Sequence, residues 1–393
     1  MTKFKHKQLH KMMKPLSPKQ EYLTAQIVPG DNPQTLIDGS LRSDQSQADQ
    51  SFDSQNGSQI TNPKIEFKQS SESNNSDTQS DSSNNSDEIS PYFPASIFPA
   101  SNAPNYEKIT IHRPEGERIF LVYIPQITQT QRSNEERPLH ITFHGLNDNC
   151  QHFLTNSGFL QLSEQENHFL VAPCGSQGDF GTGWNAGVCC MGSVQVDDVA
   201  FVNEIINYMK HKYKINTSKI FASGFSNGAM LSERLACESS HLFAAVASVA
   251  GITAENPGGE DGLLRCDEIF EKNFASASVL AIHGTMDNIV PWDGNFLLGF
   301  PSVPLDIQKW AQRNKCDLEK TEQTLNRGGY SNTVWKSCNG IDVELVKAEG
   351  LGHIWPRSKE FDTATYVLEF FKRHRPLREK DEDLQGPPVT VVA

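Results

Sequence analysis

Between residues 139 and 374 the chain alternates short, continuous apolar runs with longer stretches in which apolar residues recur at helical spacing. Continuous apolar runs are typical of strands that are covered on both faces of a parallel sheet. The alternation therefore predicts one α/β domain with a mostly parallel central sheet and helices on both faces. The predicted strands are 139–144, 168–173, 219–224, 244–250, 278–284 and 343–348.

The strongest helical pattern lies at 198–213, where Asp197 or Asp198 is a suitable N-cap. Upstream of the first parallel strand, the apolar runs 109–111 and 118–124 flank a Pro-Glu-Gly turn. Two such runs joined by a short glycine turn predict an antiparallel hairpin at the edge of the sheet. The other predicted helices are about 150–163, 227–238, 304–314 and 361–374.

The first hundred residues have a different composition from the rest. Residues 1–20 hold six lysines and no acidic residue, and the segment that follows is dominated by Ser, Asn, Gln and Asp. Such a segment cannot bury enough apolar surface to offset the entropy lost on ordering. We therefore expect a basic disordered segment at 1–37, a polar disordered segment at 38–100, a folded domain at 104–376 and a tail at 377–393.

Charge and hydropathy exclude several kinds of partner. The net charge is −13 and the first twenty residues hold the one clear basic cluster, so nucleic acid is not an expected partner. The sequence has no continuous apolar stretch long enough for a transmembrane helix, and none is expected. The apolar run of a secretory signal is not found near the start of the sequence.

The eight cysteines all follow residue 149. An even number confined to the folded region favours disulfides, and hence an extracellular or secretory-pathway location, although buried free thiols remain an alternative. We predict a Cys316–Cys338 bridge across a hairpin-like segment. Zinc is not expected, since no C-x₂-C pair and no H-E-x-x-H occur. No other metal or cofactor is expected.

Residues 224–228 read Gly-Phe-Ser-Asn-Gly and stand between a predicted strand and a predicted helix. This is the strand–turn–helix context that a G-x-S-x-G nucleophile turn requires. Gly224 and Gly228 are needed because a Cβ at either position would strike neighbouring elements. We predict that Ser226 is a nucleophile and that the Asn227 N–H, at a helix N-terminus, meets developing negative charge.

Two further side chains follow the ends of later strands. Asp287 is the first carboxylate after 278–284, and His353 lies in a glycine-flanked loop after 343–348. A serine hydroxyl needs an oriented base, and the order Ser, Asp, His at successive strand ends supplies one. The predicted triad is therefore Ser226, Asp287 and His353. The competing carboxylates, further from a strand end or better placed as helix caps, are Asp293, Asp197 and Asp198.

A second oxyanion donor is predicted where the strand 139–144 ends. Gly145 lets the backbone turn its amides inward, so the Leu146 N–H is expected to act beside that of Asn227. His144 is interpreted as a packed histidine that shapes this loop. Residues 181–186 match a dinucleotide fingerprint, but no strand precedes them, so no nucleotide site is predicted.

Three tryptophans lie in loops at strand ends. An exposed indole there could stack on an aromatic or sugar ring of a substrate, whereas core packing is the alternative role for each. We predict Trp184 and Trp292 as substrate contacts, with Trp292 the stronger candidate, and leave Trp355 open.

Six motifs follow one another along the chain: HGLNDNC, GTGWNAGVCC, VDDVAF, GFSNGAM, HGTMDNIVPWDG and GLGHIWP. Together they resemble those of the secreted α/β-hydrolases of the polyhydroxybutyrate depolymerase and feruloyl esterase group. The resemblance covers about residues 106–375. It implies the α/β-hydrolase fold, the triad named above and a position near the cleft for the loop at 184–185.

These features predict a serine carboxylic ester hydrolase that works through an acyl-enzyme, of the feruloyl esterase or polyhydroxybutyrate depolymerase kind. The segment 251–278 is too short for a large lid, so an open cleft suited to polymer-borne esters, as in polysaccharide degradation, is expected. An acetylxylan or other short-chain acyl esterase is the alternative. A serine peptidase is disfavoured because it would need a carboxylate pair or a large gating domain to bind a peptide terminus, and neither is recognised. A non-catalytic binding module is disfavoured because it would not need a triad.

Overall fold

The structure, a computed structural model, describes most of the chain after residue 104 and little before it. The predictions for the basic segment, for nearly all of the polar segment and for the tail therefore lie outside the described residues. The two described residues of the polar segment, Lys68–Gln69, form a short strand. The described ranges are 68–69, 105–126, 135–273, 276–338 and 340–374.

An antiparallel hairpin begins the main described region, as predicted. Its strands are β2, Tyr106–Arg113, and β3, Gly116–Tyr123, paired from Tyr106 opposite Tyr123 to Arg113 opposite Gly116. The turn residue Gly116 has a φ of 122°, a conformation that favours glycine. β1, the strand Lys68–Gln69, pairs with β2 on its outer side.

Six parallel strands form the centre of the sheet, with antiparallel strands at both ends. In chain order the strands after the hairpin are β4 Arg137–Phe143, β5 Phe169–Pro173, β6 Ser176–Gly178, β7 Gly181–Gly183, β8 Ile215–Phe225, β9 Ala245–Val249, β10 Ser278–Gly284, β11 Thr321–Glu322, β12 Asn326–Arg327, β13 Tyr330–Cys338 and β14 Ile341–Ala348. Along the sheet the parallel strands run in the order β5, β4, β8, β9, β10 and β14, with antiparallel β3 beside β5 and antiparallel β13 beside β14. Every residue of β5, β9 and β10 is buried, as expected for strands covered on both faces.

Two hydrophobic cores cover the two faces of this sheet. Leu139 and Val279 contribute to one core, whereas Leu170 and Leu280 contribute to the other, as the alternation of side chains along strands requires. The predicted fold class, a mostly parallel sheet with helices on both faces, is confirmed. The helices are α1 Cys150–Asn156, α2 Phe159–Glu166, α3 Asp198–Lys212, α4 Asn227–Glu238, α5 Gly259–Asn273, α6 Val303–Arg313 and α7 Thr363–Lys372.

The structure corrects the predicted elements in several places. The helix predicted at about 150–163 is two helices, because Gly158 adopts a φ of 93° between α1 and α2. The segment 251–278 contains α5, which was not predicted. The fingerprint-like segment supplies strand β7, Gly181–Gly183, which pairs antiparallel with β6, Ser176–Gly178.

Four disulfides connect the described cysteines. The predicted Cys316–Cys338 bridge is confirmed, and it ties the end of α6 to β13. Two others join α1 to the end of β5 and α4 to α5. The full set is Cys150–Cys174, Cys189–Cys190, Cys237–Cys266 and Cys316–Cys338.

No helix within the described ranges has both the length and the apolar character needed to cross a bilayer.

Candidate active site

The turn between β8 and α4 holds Ser226 in an unusual backbone conformation. Ser226 has φ 54° and ψ −119°, a region that a residue with a Cβ adopts only under constraint. A Cβ on Gly224 would lie 2.2 Å from the Gly228 backbone, and one on Gly228 would lie 2.4 Å from the Phe143 carbonyl oxygen. The two glycines therefore let β8, α4 and the end of β4 approach closely enough to hold the turn.

Three side chains from separate loops meet at this turn. The His353 Nε2 lies 2.8 Å from the Ser226 Oγ, and the His353 Nδ1 lies 2.7 Å from the Asp287 Oδ2. A carboxylate can only accept, so His353 Nδ1 carries a proton and Nε2 of the neutral ring faces the hydroxyl as an acceptor. The arrangement can remove a proton from Ser226 and stabilise the imidazolium that results.

Asp287 is held by more than the imidazole. Its Oδ1 accepts the backbone N–H groups of Ile289 and Val290 at 2.9 and 2.8 Å. His283 donates through Nε2 to the Val290 carbonyl, and that nitrogen also lies 3.4 Å from Asp287 Oδ2. Burial alone would raise the pKa of Asp287, but the contacts with His283 and His353 outweigh it and hold the pKa well below its usual range.

The loops that carry Asp287 and His353 are joined through their backbones. The Met286 N–H donates to the Leu351 carbonyl at 2.9 Å, and the Thr285 N–H donates to the Ala348 carbonyl at 3.0 Å. A Cβ on Gly284 would lie 2.2 Å from the Leu351 oxygen, so glycine is required where the loops meet. These contacts fix the distance between carboxylate and imidazole.

The competing carboxylates have other roles. Asp197 caps α3 by accepting the Ala200 N–H at 2.9 Å, as the sequence predicts for this position. Asp198 is fully buried and pairs with Arg118 at 2.6 Å. Asp293 is exposed. Among these carboxylates, Asp287 is the one in contact with His353.

Both predicted oxyanion donors lie at the turn. A Cβ on Gly145 would lie 3.5 Å from the Ser226 Cβ, so the loop that carries Leu146 rests against the nucleophile. Asn227 begins α4, and the first N–H groups of a helix have no carbonyl partner within the helix. Within the described residues, no acceptor binds the Leu146 N–H. Both N–H groups can therefore serve an incoming oxyanion.

The side chain of Asn227 has a role that sequence reasoning missed. Its Oδ1 accepts the Trp184 N–H at 2.7 Å and its Nδ2 donates to the Trp184 carbonyl at 3.0 Å. This two-point contact ties the β7 segment to the start of α4. The resemblance placed the loop at 184–185 near the cleft, but the pattern alone could not show that the asparagine of the motif holds it there.

The prediction that Trp184 contacts substrate is wrong. Its side chain is fully buried, its Nε1–H donates to the His144 carbonyl at 2.8 Å, and its ring packs edge-on against Phe143. Trp355 is also buried and donates to the Ser157 carbonyl. Each indole packs against a residue next to the site, Trp184 against His144 and Trp355 against Phe225. Strand-end position alone does not show which way an indole points.

His144 is the packed histidine that the sequence suggested. It is fully buried, donates through Nδ1 to the Gly145 carbonyl at 2.8 Å and accepts the Gly175 N–H at Nε2 at 2.9 Å. Burial lowers the pKa of this imidazole, which keeps it neutral. It therefore fixes the loop before Leu146.

Trp292 stays a candidate substrate contact. It is half-buried, and its ring lies edge-on to His283 with centroids 6.2 Å apart. Two exposed apolar residues occur in the same region of the chain, Met286 at 70% and Phe296 at 90% exposure. No group of three or more His, Cys, Asp or Glu side chains in the described part of the chain is placed to hold a metal ion.

Comparison with known proteins finds sequence similarity to esterases. The chain is 26% identical to feruloyl esterase B of Piromyces equi over 226 residues, which are 55% of this chain and 39% of that protein. It is 25% identical to a bifunctional acetylxylan esterase/xylanase of Neocallimastix patriciarum, spanning 28% of its length. The chain thus matches less than half of either relative. No family model matches the chain.

Two further comparisons cover a larger share of the matched protein. A probable feruloyl esterase C of Aspergillus oryzae is 26% identical over 248 residues, 61% of this chain and 77% of that protein. The solved acetyl xylan esterase from Aspergillus awamori superposes with a TM-score of 0.54 at 17% identity, covering 68% of this chain and 99% of the esterase. In sequence the chain is similar to feruloyl and acetylxylan esterases, and its fold is that of the α/β-hydrolases.

Proposed function

We propose that this chain is a serine carboxylic ester hydrolase that works through an acyl-enzyme on Ser226. The observation that carries the proposal is the continuous hydrogen-bonded series from Asp287 through His353 to Ser226, at a turn with φ 54°. The sequence similarity to feruloyl and acetylxylan esterases supports it. A non-catalytic binding module would have no use for this geometry.

The geometry supports one sequence of steps. His353 Nε2 takes the proton of Ser226 as Oγ bonds to the ester carbonyl carbon, and the Leu146 and Asn227 N–H groups bind the oxyanion. Collapse breaks the ester C–O bond, and the leaving alkoxide takes the proton from His353. Water then attacks the acyl-enzyme by the same route and releases the acid. Asp287 holds the imidazole tautomer throughout.

We propose feruloyl esters as the main substrates, with acetylated xylan as the alternative and polyhydroxybutyrate as a further candidate. The half-buried Trp292 and the exposed Phe296 support an aromatic acyl group, because indole and phenyl faces stack on a feruloyl ring. The segment between β9 and β10 holds α5 and no larger insertion, which supports an open cleft. Turnover of methyl ferulate, acetylated xylan and polyhydroxybutyrate ranks these substrates.

The esterase proposal is tested with p-nitrophenyl acetate. Ser226→Ala removes the nucleophile, so kcat is expected to fall roughly 10⁴- to 10⁶-fold. Ser193→Ala, which changes a serine whose hydroxyl bonds Asp179 and no triad residue, is the control and should retain wild-type turnover. Equal rates from wild type and Ser226→Ala would exclude the proposal.

We propose an extracellular place of action. Each of the eight cysteines is paired in a disulfide, and all eight lie within the described residues. Disulfides persist in oxidising compartments and are rare in reducing ones. Assay of esterase activity and protein in the culture medium and in the cell lysate of the source tests this.

A further inference from the structure

A second concave surface lies beside the loop that carries Asp287. It is a groove of about 450 Å³ between the first turns of α6 and the face of β13 and β14 that turns toward α6. Its lining includes Trp292, Trp335 and Leu345. We propose that this groove binds a neutral polysaccharide chain, the backbone to which the scissile ester is attached.

The two indoles give the groove its first recognition element. Trp292 and Trp335 are half-buried, with one part of each side chain packed on the hydrophobic core and the rest open. A pyranose ring has one apolar face of C–H groups and a rim of hydroxyls. An aromatic face fixed by core packing can cover that apolar face without losing side-chain freedom on binding.

Polar side chains that line the groove give the second recognition feature. Ser331, Thr333 and Gln308 line the groove, and within the described residues none of their side chains has a hydrogen-bond partner. Ser331, Thr333 and Trp335 alternate along β13, so all three project to the same side of the sheet. Hydroxyl and amide groups beside aromatic faces suit a ligand rich in hydroxyls better than an acyl chain or an apolar peptide.

The charge of the groove favours a neutral ligand. Its lining includes no carboxylate, and its one ammonium group, Lys347, lies 2.6 Å from the Glu349 carboxylate. The ion pair leaves no net charge to attract an acidic polymer. From Ser331 to Trp335 the strand extends about 14 Å, enough for a short run of sugar rings.

The groove is connected to the proposed catalytic residues. The Trp292 ring lies against His283, and the His283 Nε2 is 3.4 Å from the Asp287 Oδ2. Lys347 pairs with His283 in register, so the Lys347 end of the groove lies at the carboxyl edge of the sheet, where the triad is. A chain bound here would pass beside the cleft and present its acyl branches to it.

The proposed role of the groove, holding the polymer that carries the ester, rests on the proposed esterase function. The binding test does not require esterase activity. The probe is xylohexaose, which has no ester, titrated calorimetrically into full-length Ser226→Ala. We expect saturable binding that Trp335→Ala weakens at least tenfold and Trp335→Phe weakens less. Leu264→Ala, which removes an exposed apolar side chain of α5 that does not line the groove, is the control and should leave the affinity unchanged.

A catalytic readout comes from comparing a polymer with a small ester. Trp335→Ala should lower kcat/KM on acetylated xylan at least tenfold relative to kcat/KM on p-nitrophenyl acetate. Gln308→Ala changes an exposed residue of α6, so the variant should fold as the wild type does. It should lower the same ratio two- to fivefold. An unchanged ratio in both variants would overturn the proposal.

The two proposals fail in different ways. If Ser226→Ala binds xylohexaose but the wild type hydrolyses none of the esters, the groove stands and the esterase function falls. If esters are hydrolysed but xylohexaose does not bind, the groove is not a glycan site and the esterase function stands.

Discussion

Ser226 has a positive φ and lies at the turn between β8 and α4, which are packed closely together. Conformations of this kind cost about 1–3 kcal/mol and persist only where the surroundings over-determine them. Here the Ser226 N–H donates to the Val249 carbonyl at 2.9 Å and the Ser226 carbonyl accepts the Met230 N–H at 3.0 Å. The strain is therefore supported from both β9 and α4, and Oγ stays directed at His353.

The role of the Asp287 carboxylate can be tested with a variant that leaves Ser226 unchanged. Asp287→Asn is nearly isosteric, but its amide cannot both accept from His353 Nδ1 and stabilise an imidazolium. We expect kcat on p-nitrophenyl acetate to fall about 10⁴-fold. Asp293→Asn, a carboxylate in the same loop that is exposed, is the matched control and should retain activity. Comparable losses in both would show that Asp287 does not act as proposed.

At the scale of elements, the nucleophile turn depends on how closely α4 approaches the end of β4. Gly228→Ala should lower the free energy of unfolding by roughly 3 kcal/mol, because the new Cβ would lie 2.4 Å from the Phe143 and His144 carbonyl oxygens. Urea titration measures this, and esterase activity should fall with it.

The control for Gly228→Ala separates a clash from backbone strain. Gly259 has a φ of 60° and no heavy atom within 4 Å of a built Cβ, so Gly259→Ala adds strain without a clash. It should cost about 1–2 kcal/mol. A Gly228→Ala variant as stable as Gly259→Ala would mean that α4 can shift away from β4 more easily than the structure indicates.

Elements differed in how well the sequence predicted them. Parallel strands were found because both faces are buried and their apolar runs are continuous, as in β10. β13 was missed because its outward face is polar and half-exposed, so Ser331 and Thr333 interrupt the apolar signal. The triad followed from strand ends and motif order. The hydrogen bonds of Asn227 and the burial of Trp184 depend on which loops meet in space, and no single segment shows this.

At the scale of the whole molecule, the edge of the sheet opposite the active site contains buried histidines. His168 is fully buried, which lowers its pKa to about 3, with a smaller contribution from Lys372. His140 is also buried, and burial lowers its pKa. A small cavity of about 170 Å³ adjoins both rings, and the charged side chains of Glu166, Lys219 and Lys372 also line it.

These histidines predict acid sensitivity. Their folded-state pKa values lie below the unfolded value of about 6.5, so their contribution to stability is complete above pH 6.5 and is lost as pH falls, for His168 through a pKa of about 3. His168 alone should reduce the free energy of unfolding by about 2 kcal/mol by pH 5. Urea titrations at pH 7.5 and 5 should show a smaller difference for His168→Leu than for wild type.

The exposed His211 provides the control for this measurement. His211→Gln removes a histidine that solvent already reaches, so the difference between the two pH values should match wild type. Equal pH dependence in wild type and His168→Leu would mean that another group controls acid unfolding.

The strand that forms one wall of the groove, β13, contributes no member of the triad. Its inner residues pack into the core, and the Cys316–Cys338 bridge fastens its end to α6, whereas its outward residues Ser331, Thr333 and Trp335 face the groove. The two proposals together assign polymer preference and bond cleavage to separate segments of the chain. Changing alternate residues of this one strand should therefore alter which polymer binds and leave the reaction chemistry intact.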